Sequence, residues 1–223
     1  MSHSAALSIT SRGPVVKWLH PFLIALVLFP AILYGQILSE AGIPYLRNYP
    51  PEEFNAFFQN WQTVQDGRGV MYFANSYGVL EYDGVSWRLI PIAADVRSLA
   101  IGEAGRIYVG VYDELGFLQP DSLGELKFVS LLDYLPKSDR KFGRVWNTVA
   151  AKDGVYFQTT KYIFRFAASA TAREGSPTWK VNVWKNQAGW WSIFLFQNEL
   201  YAFQREVGMM QVIDDSHFFH QII

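Results

Sequence analysis

Large aromatic side chains stand beside amides and guanidinium groups at four places in this sequence. These are Gln59-Asn60-Trp61, Arg97 after Val96, Arg144-Val145-Trp146-Asn147, and Trp190-Trp191. A tryptophan face can stack on a flat or ring-shaped ligand, while amide and guanidinium N–H groups hydrogen-bond hydroxyls and carboxylates. Brought together, Asn60, Trp61, Arg97, Arg144, Trp146 and Trp191 would suit a sugar or a small anionic ligand. On that reading Arg97→Ala would weaken ligand-induced thermal stabilisation and leave the melting temperature of the free protein unchanged. The competing role for these tryptophans is packing, because wedges between twisted sheets need the same large side chains. The choice depends on which elements carry them.

Other chemistries find less support. There is no cysteine, which excludes disulfides, thiolate metal sites and cysteine nucleophiles. His217 and His220 lie near Asp214 and Asp215, but residues three apart on a strand point to opposite faces, so no metal site is expected. Asp66-Gly67, Asp83-Gly84 and Asp153-Gly154 lack the alternating oxygen ligands of a calcium loop and read as hairpin turns. Glu52-Glu53 and Asp113-Glu114 are adjacent pairs, unlike the facing carboxylates of a glycosidase. "GRG" at 67–69 lacks the lysine of a phosphate loop, and no serine sits in a nucleophile elbow. The sequence thus predicts no enzyme, no cofactor and no metal. A formal net charge of -1, without a basic excess, also argues against nucleic acid as a partner.

The elements that position the aromatic groups recur. Half of the residues are hydrophobic and 17% are aromatic, in short runs broken by Gly and Asp-Gly steps, which favours strands. A large residue, Trp61, Val96, Trp146 or Trp191, opens each unit, and a second run carries Tyr72, Tyr108, Tyr156 or Tyr201. A third follows as "GVLEYD", "LGFLQP", "YIFRF" or "GMMQV", and a weaker fourth closes the unit. The tyrosines are 36, 48 and 45 residues apart, a period that matches four-stranded propeller blades. The expected fold is an all-β propeller of four-stranded antiparallel blades at 60–95, 96–144, 145–188 and 189–223. About four blades are expected, forming an incomplete propeller, with the innermost strands bringing the aromatic and arginine residues to one mouth of the central channel.

The first 35 residues read differently. Arg12 and Lys17 precede the apolar run "LHPFLIALVLFPAIL", and Gly35 offers a small residue for cleavage. This is the pattern of a secretory signal peptide, with an uncleaved membrane anchor as the alternative. Residues 36–59 then form a linker and N-terminal segment. Export to the periplasm or extracytoplasmic face follows as the expected location.

The stretch from Gly42 to Gly84 resembles the start of the two-component regulator propeller proteins. The resemblance is carried by Gly42, Pro44, Arg47-Asn48-Tyr49, Gln59-Asn60-Trp61, Gln65-Asp66, Gly69, Tyr72-Phe73, Asn75, Gly78, Leu80 and Tyr82-Asp83-Gly84. It is close at its beginning and fades along the later units, where the third and fourth lack the Asn-x-x-Gly turn of the first. The resemblance implies the extracytoplasmic ligand-sensing part of a bacterial signalling receptor, an N-terminal fragment whose output module is absent from this chain. Its implied partners are a small-molecule or oligosaccharide ligand, and either downstream receptor modules or remaining propeller blades. Membrane contact would come through the N-terminal segment or a further span. Two alternatives stand beside it: a secreted or periplasmic carbohydrate- or protein-binding propeller without signalling, and a propeller lyase or hydrolase.

Overall fold

A computed structural model describes residues 46–168, 178–212 and 220–221. The leader at 1–35, residues 36–45 of the linker, and Asp214, Asp215 and His217 lie outside the described residues. No helix among the described residues is long and apolar enough to cross a membrane.

Four antiparallel sheets, each of four consecutive strands, succeed one another as the blades of a β-propeller. Blade 1 comprises β1 (Asn60–Gln65), β2 (Met71–Asn75), β3 (Gly78–Tyr82) and β4 (Trp87–Pro91). Blade 2 comprises β5 (Ser98–Ile101), β6 (Ile107–Gly110), β7 (Leu115–Pro120) and β8 (Leu126–Ser130). Blade 3 comprises β9 (Asn147–Ala151), β10 (Gly154–Gln158), β11 (Tyr162–Ala168) and β12 (Trp179–Lys185). Blade 4 comprises β13 (Trp190–Phe196), β14 (Glu199–Gln204), β15 (Gly208–Gln211) and the short β16 (His220–Gln221). The first strands lie side by side, β1 against β5, β5 against β9 and β9 against β13. Among the described residues, no comparable packing joins β13 to β1.

Alternation along each second strand sends neighbouring side chains to different blades. Tyr72 and Ala74 join Leu99, Ile107 and Val109 between blades 1 and 2. Val155 and Phe157 face back to Leu115 and Phe117 of blade 2, in a cluster closed by Phe164, Phe166 and Trp179. Tyr156, between them in sequence, turns the other way and packs with Ile193, Leu200 and Ala202 of blade 4. The spaced tyrosines thus share one role. Tyr72, Tyr108, Tyr156 and Tyr201 each sit on the face directed toward the next position in the array, called here the forward face.

The position two residues after each of these tyrosines faces the same way. In blade 2 it is Gly110, where an added Cβ would lie 2.3 Å from Ser98 Oγ, 2.5 Å from Val145 Cγ1 and 2.7 Å from Thr148 Oγ1. Ser98 and Thr148 are buried and hydrogen-bonded to each other at 2.7 Å, locking blade 2 to blade 3 at their closest approach.

The rear face of blade 1 is closed by the segment before it. Helix α1 (Pro51–Phe54) lays Phe54 on Trp87, and Tyr49 packs edge-on against both Tyr82 and Trp87. Asn75, fully buried, ties this segment to the blade. Its Oδ1 accepts from the Phe57 and Tyr77 amides, and its Nδ2 donates to the Phe57 carbonyl and to Asn60 Oδ1.

The hairpin aspartates serve their own turns. Asp83 Oδ1 accepts from the Val85 and Ser86 amides while Gly84 adopts φ 97°, a conformation that costs glycine little. Asp66 and Asp121 do the same with Arg68 and Val70, and with Leu123 and Glu125. The Ser86 and Val85 amides hold the Asp83 carboxyl below its ordinary value, and the Leu123 amide does so for Asp121.

Two outcomes follow. Gly110→Ala overpacks the blade 2–blade 3 contact and is expected to cost about 1–3 kcal/mol in urea unfolding; a neutral result would contradict this close approach. The folded-state values of Asp83 and Asp121 are depressed. Their turn stabilisation is therefore present above the unfolded aspartate value and lost as pH falls through the folded one. Carboxyl NMR titration should place both below the usual ~3.9, and a midpoint at or above it would refute these turns.

Candidate functional site

The leading ends of the four inner strands gather at one mouth. Two β-bulges help, one between Asn60 and Gln62 in β1 and one between Trp190 and Ser192 in β13. Each bulge adds an unpaired residue that leaves the regular alternation, and in both strands that residue is a tryptophan, Trp61 or Trp191. Arg97 and Trp146 hold the corresponding places before β5 and β9, where their amides donate to the Gly110 and Gln158 carbonyls.

The side chains form an arc. The Arg97 guanidinium lies 3.4 Å from the Trp61 ring centre and 5.8 Å from that of Trp146. Arg144 lies 5.8 Å from the Trp146 ring and 5.9 Å from that of Tyr112. Asp95 binds both arginines, with Oδ2 2.7 Å from Arg97 Nε and 3.6 Å from Arg144 Nε. Trp146 Nε1 donates to Thr160 Oγ1 at 3.2 Å, fixing its ring. Beyond it, Arg205 sits 5.1 Å from the Trp191 ring, and an open cleft of about 370 Å³ runs between Trp146 and Trp191 over Asn147 and Thr160.

Exposure separates binding from packing. Trp61, Trp146 and Trp191 are 40%, 44% and 64% exposed, so wedge filling does not account for them. Trp190 is 5% exposed and belongs to the blade 3–blade 4 core. Asn60 and Gln59 serve the Asn75 network, Asn60 through its side-chain oxygen and Gln59 through its carbonyl. Thus Trp61, Arg97, Arg144 and Trp146 come together, Trp191 flanks them across the cleft, and Asn60 stands at the arc's edge with its Oδ1 engaged by Asn75.

Charge favours an anion. Arg97 and Arg144 share one carboxylate, Asp95, and Arg205 adds a third guanidinium over Trp191, which leaves a positive excess along the arc. Asp95 Oδ1 is buried without a hydrogen-bond partner among the described residues, an uncommon condition that often marks a functional position. By contrast, the arginines lining the clefts at the far ends of β1 and β5 are committed. Arg68 pairs with Asp66 and Tyr72, Arg88 pairs with Glu81, and Arg106 stacks on Phe117. Among the described residues no cluster of His, Asp and Glu could hold a metal ion.

Asp95, Tyr112, Thr160 and Arg205 complete the arc although the sequence did not single them out. Asp95 lies two residues before Arg97, which is the only local signal it offers. Tyr112 is joined to Arg144 by an isolated β-bridge between blades, which no local pattern announces. Arg205 follows β14 and reaches Trp191 because its amide donates to the Gly189 carbonyl.

No protein-family model matches this chain, and no curated protein matches it. Among solved structures it is similar to a protein of unknown function from Bacteroides caccae, at 14% identity and a TM-score of 0.48. The match covers 74% of this chain and 60% of that protein, so the chain spans less than two thirds of its length.

The geometry revises one expectation. Arg97 is a half-sandwiched, ion-paired side chain only 11% exposed, so removing it must disturb the free protein as well. Arg97→Ala is now expected to lower apo stability by about 1–3 kcal/mol, by stranding Asp95 and uncovering Trp61. Arg144→Ala, at 42% side-chain exposure, is expected to stay within about 0.5 kcal/mol of wild type. Chemical denaturation of both variants checks the contrast, and equal losses would contradict it.

Proposed function

We propose that this protein is a ligand-binding β-propeller module and that the arc Trp61–Arg97–Trp146–Trp191, with Arg144 and Arg205, is its binding surface. The observation that carries this reading is the set of three exposed tryptophans interleaved with three arginines at the mouth of the inner strands. Exposed ring faces provide platforms for a flat or cyclic ligand. Guanidinium forks recognise carboxylate or another oxyanion in a bidentate way. A small acidic sugar has both parts, a ring for the tryptophans and a carboxylate for the arginines.

The receptor role is the finer part of the proposal. It is supported by the resemblance of residues 42–84 to the two-component regulator propellers, and by the leader pattern at 1–35, which suits an extracytoplasmic sensor. In such a sensor the ligand would bridge inner strands of adjacent blades and stabilise one relative arrangement of them. That bias is what a downstream module can read, to the extent that the ligand discriminates between the two arrangements.

Isothermal titration calorimetry with glucuronate, and with glucose as the uncharged control, tests the binding reading. Glucuronate is expected to bind and glucose to bind at least about tenfold more weakly, reflecting the loss of a charge-assisted pair. Trp146→Ala and Arg144→Ala should each weaken glucuronate binding with little change in melting temperature. Equal affinity for the two sugars, or indifference to both substitutions, would refute the arc as an acidic-sugar site.

A further inference from the structure

Asp95 places a carboxylate between two of the arc's guanidiniums, and its two oxygens do unequal work. Oδ2 accepts from Arg97 Nε at 2.7 Å and lies 3.6 Å from Arg144 Nε. Oδ1 is buried and has no hydrogen-bond partner among the described residues. With one oxygen unsatisfied, the charge depends on the two arginines that Oδ2 reaches. Those arginines are held differently. Arg97 is nearly buried, bonded directly to Asp95, and stacked 3.4 Å from the Trp61 ring centre. Arg144 has a half-exposed side chain, and its distance from Asp95 is beyond a direct hydrogen bond. Its backbone, by contrast, is anchored. Arg144 bridges to Tyr112, the Gly143 carbonyl accepts from the Asp113 amide, and the Val145 amide donates to the Val111 carbonyl. Asp113 Oδ1 also accepts from the Phe142 and Gly143 amides at 2.8 and 2.7 Å. Arg144 is thus a loosely held guanidinium on a fixed stem, parked beside a carboxylate.

We propose that Asp95 is the specificity-determining residue of the arc, an internal counter-anion that keeps Arg97 in its stack on Trp61 and competes with the ligand's carboxylate for Arg144. This rests on the reading of the arc as an acidic-ligand surface, and it adds what sets the strength of the preference for charge. A ligand carboxylate that draws the Arg144 guanidinium away leaves Asp95 with Arg97 alone. Two parallel hydrogen bonds to the guanidinium fork offset that loss, because a bidentate pair is stronger than the single long contact it replaces. Arg97 stays where it is, since its direct bond and its stack would both have to break. The negative charge of Asp95 also repels the incoming carboxylate, so it lowers affinity for an acidic ligand and leaves a neutral one nearly untouched. Discrimination between charged and uncharged sugars is therefore held below the level that the arginines alone would give.

Calorimetric titration of wild type and Asp95→Asn with glucuronate and glucose tests it. The substitution keeps the shape of the side chain and an oxygen for Arg97 Nε while removing the charge. It is expected to raise the ratio of glucuronate to glucose affinity about threefold or more, the effect of deleting a competing charge at a partly exposed site. Wild type supplies a second measurement that does not depend on the variant folding. In proton–nitrogen NMR the Arg144 Nε–H resonance should move on saturation with glucuronate, and that of Arg97, which keeps Asp95, should move less. An unchanged or lowered ratio in Asp95→Asn, with wild type still preferring glucuronate, would overturn Asp95 as a competitor and leave the acidic-ligand reading standing. So would a larger displacement at Arg97 than at Arg144. Equal affinity for the two sugars in both proteins would remove this inference and that reading together.

Discussion

A four-stranded sheet that is apolar on both faces has to be covered twice. Here blades 2 and 3 meet that demand by lending one face to the blade before and the other to the blade after, while blade 1 has its rear face packed by Tyr49 and Phe54. Strand alternation does the sorting. Val155 and Phe157 look back to blade 2 while Tyr156 looks forward to blade 4. At roughly 25 cal/mol per Å² of apolar area removed from water, clusters of this size dominate the favourable side of folding. The polar features occupy gaps that this packing leaves. Ser98 and Thr148 bond where Gly110 lets two blades approach, and Asn75 satisfies the backbone of the segment that covers blade 1.

The candidate site is a by-product of the same geometry. Side-by-side inner strands bring their leading ends within a few ångströms, so residues far apart in sequence become neighbours. Trp61, Asp95, Arg97, Arg144 and Trp146 come from three blades or the loops between them, and no single blade contains a usable site. On the proposed function, this would tie binding to blade arrangement. A ligand touching the arc contacts several blades at once, and it can bias their relative packing by the difference in its affinity for the alternatives.

Much of the architecture was legible because its signal is periodic. The tyrosines mark the second strands, and Asp-Gly steps mark hairpins; Asp66 and Asp83 bond their own turn amides, whereas Asp153 accepts from Tyr156 and pairs with Arg165. The four-bladed all-β reading needed only that period and the alternation around it. The site was legible in part. Tryptophans and arginines at the leading ends were visible, but their partners were not, since Asp95 and Arg205 reach the arc from loops that leave no local pattern. Arg97 was read as a free binding group, whereas stacking on Trp61 and pairing with Asp95 make it part of the frame. Asn60 was read as a ligand donor, and its Oδ1 accepts from Asn75 Nδ2. The covering of blade 1 by Tyr49 and Phe54 was also unforeseen, because an isolated turn of helix gives no sign of the face it will meet.

Radial stacking predicts a pattern of energetic coupling that no other arrangement of these strands would give. Double-mutant cycles on unfolding free energy read it directly. Phe157 paired with Tyr108, and Tyr156 paired with Ile193, should each show coupling of about 0.5–3 kcal/mol, because each pair shares an inter-blade core. The crossed pair, Phe157 with Ile193, should be additive within about 0.5 kcal/mol, since those side chains lie on opposite faces of blade 3. Coupling in the crossed pair together with additivity in the other two would show that the sheets do not succeed one another as blades.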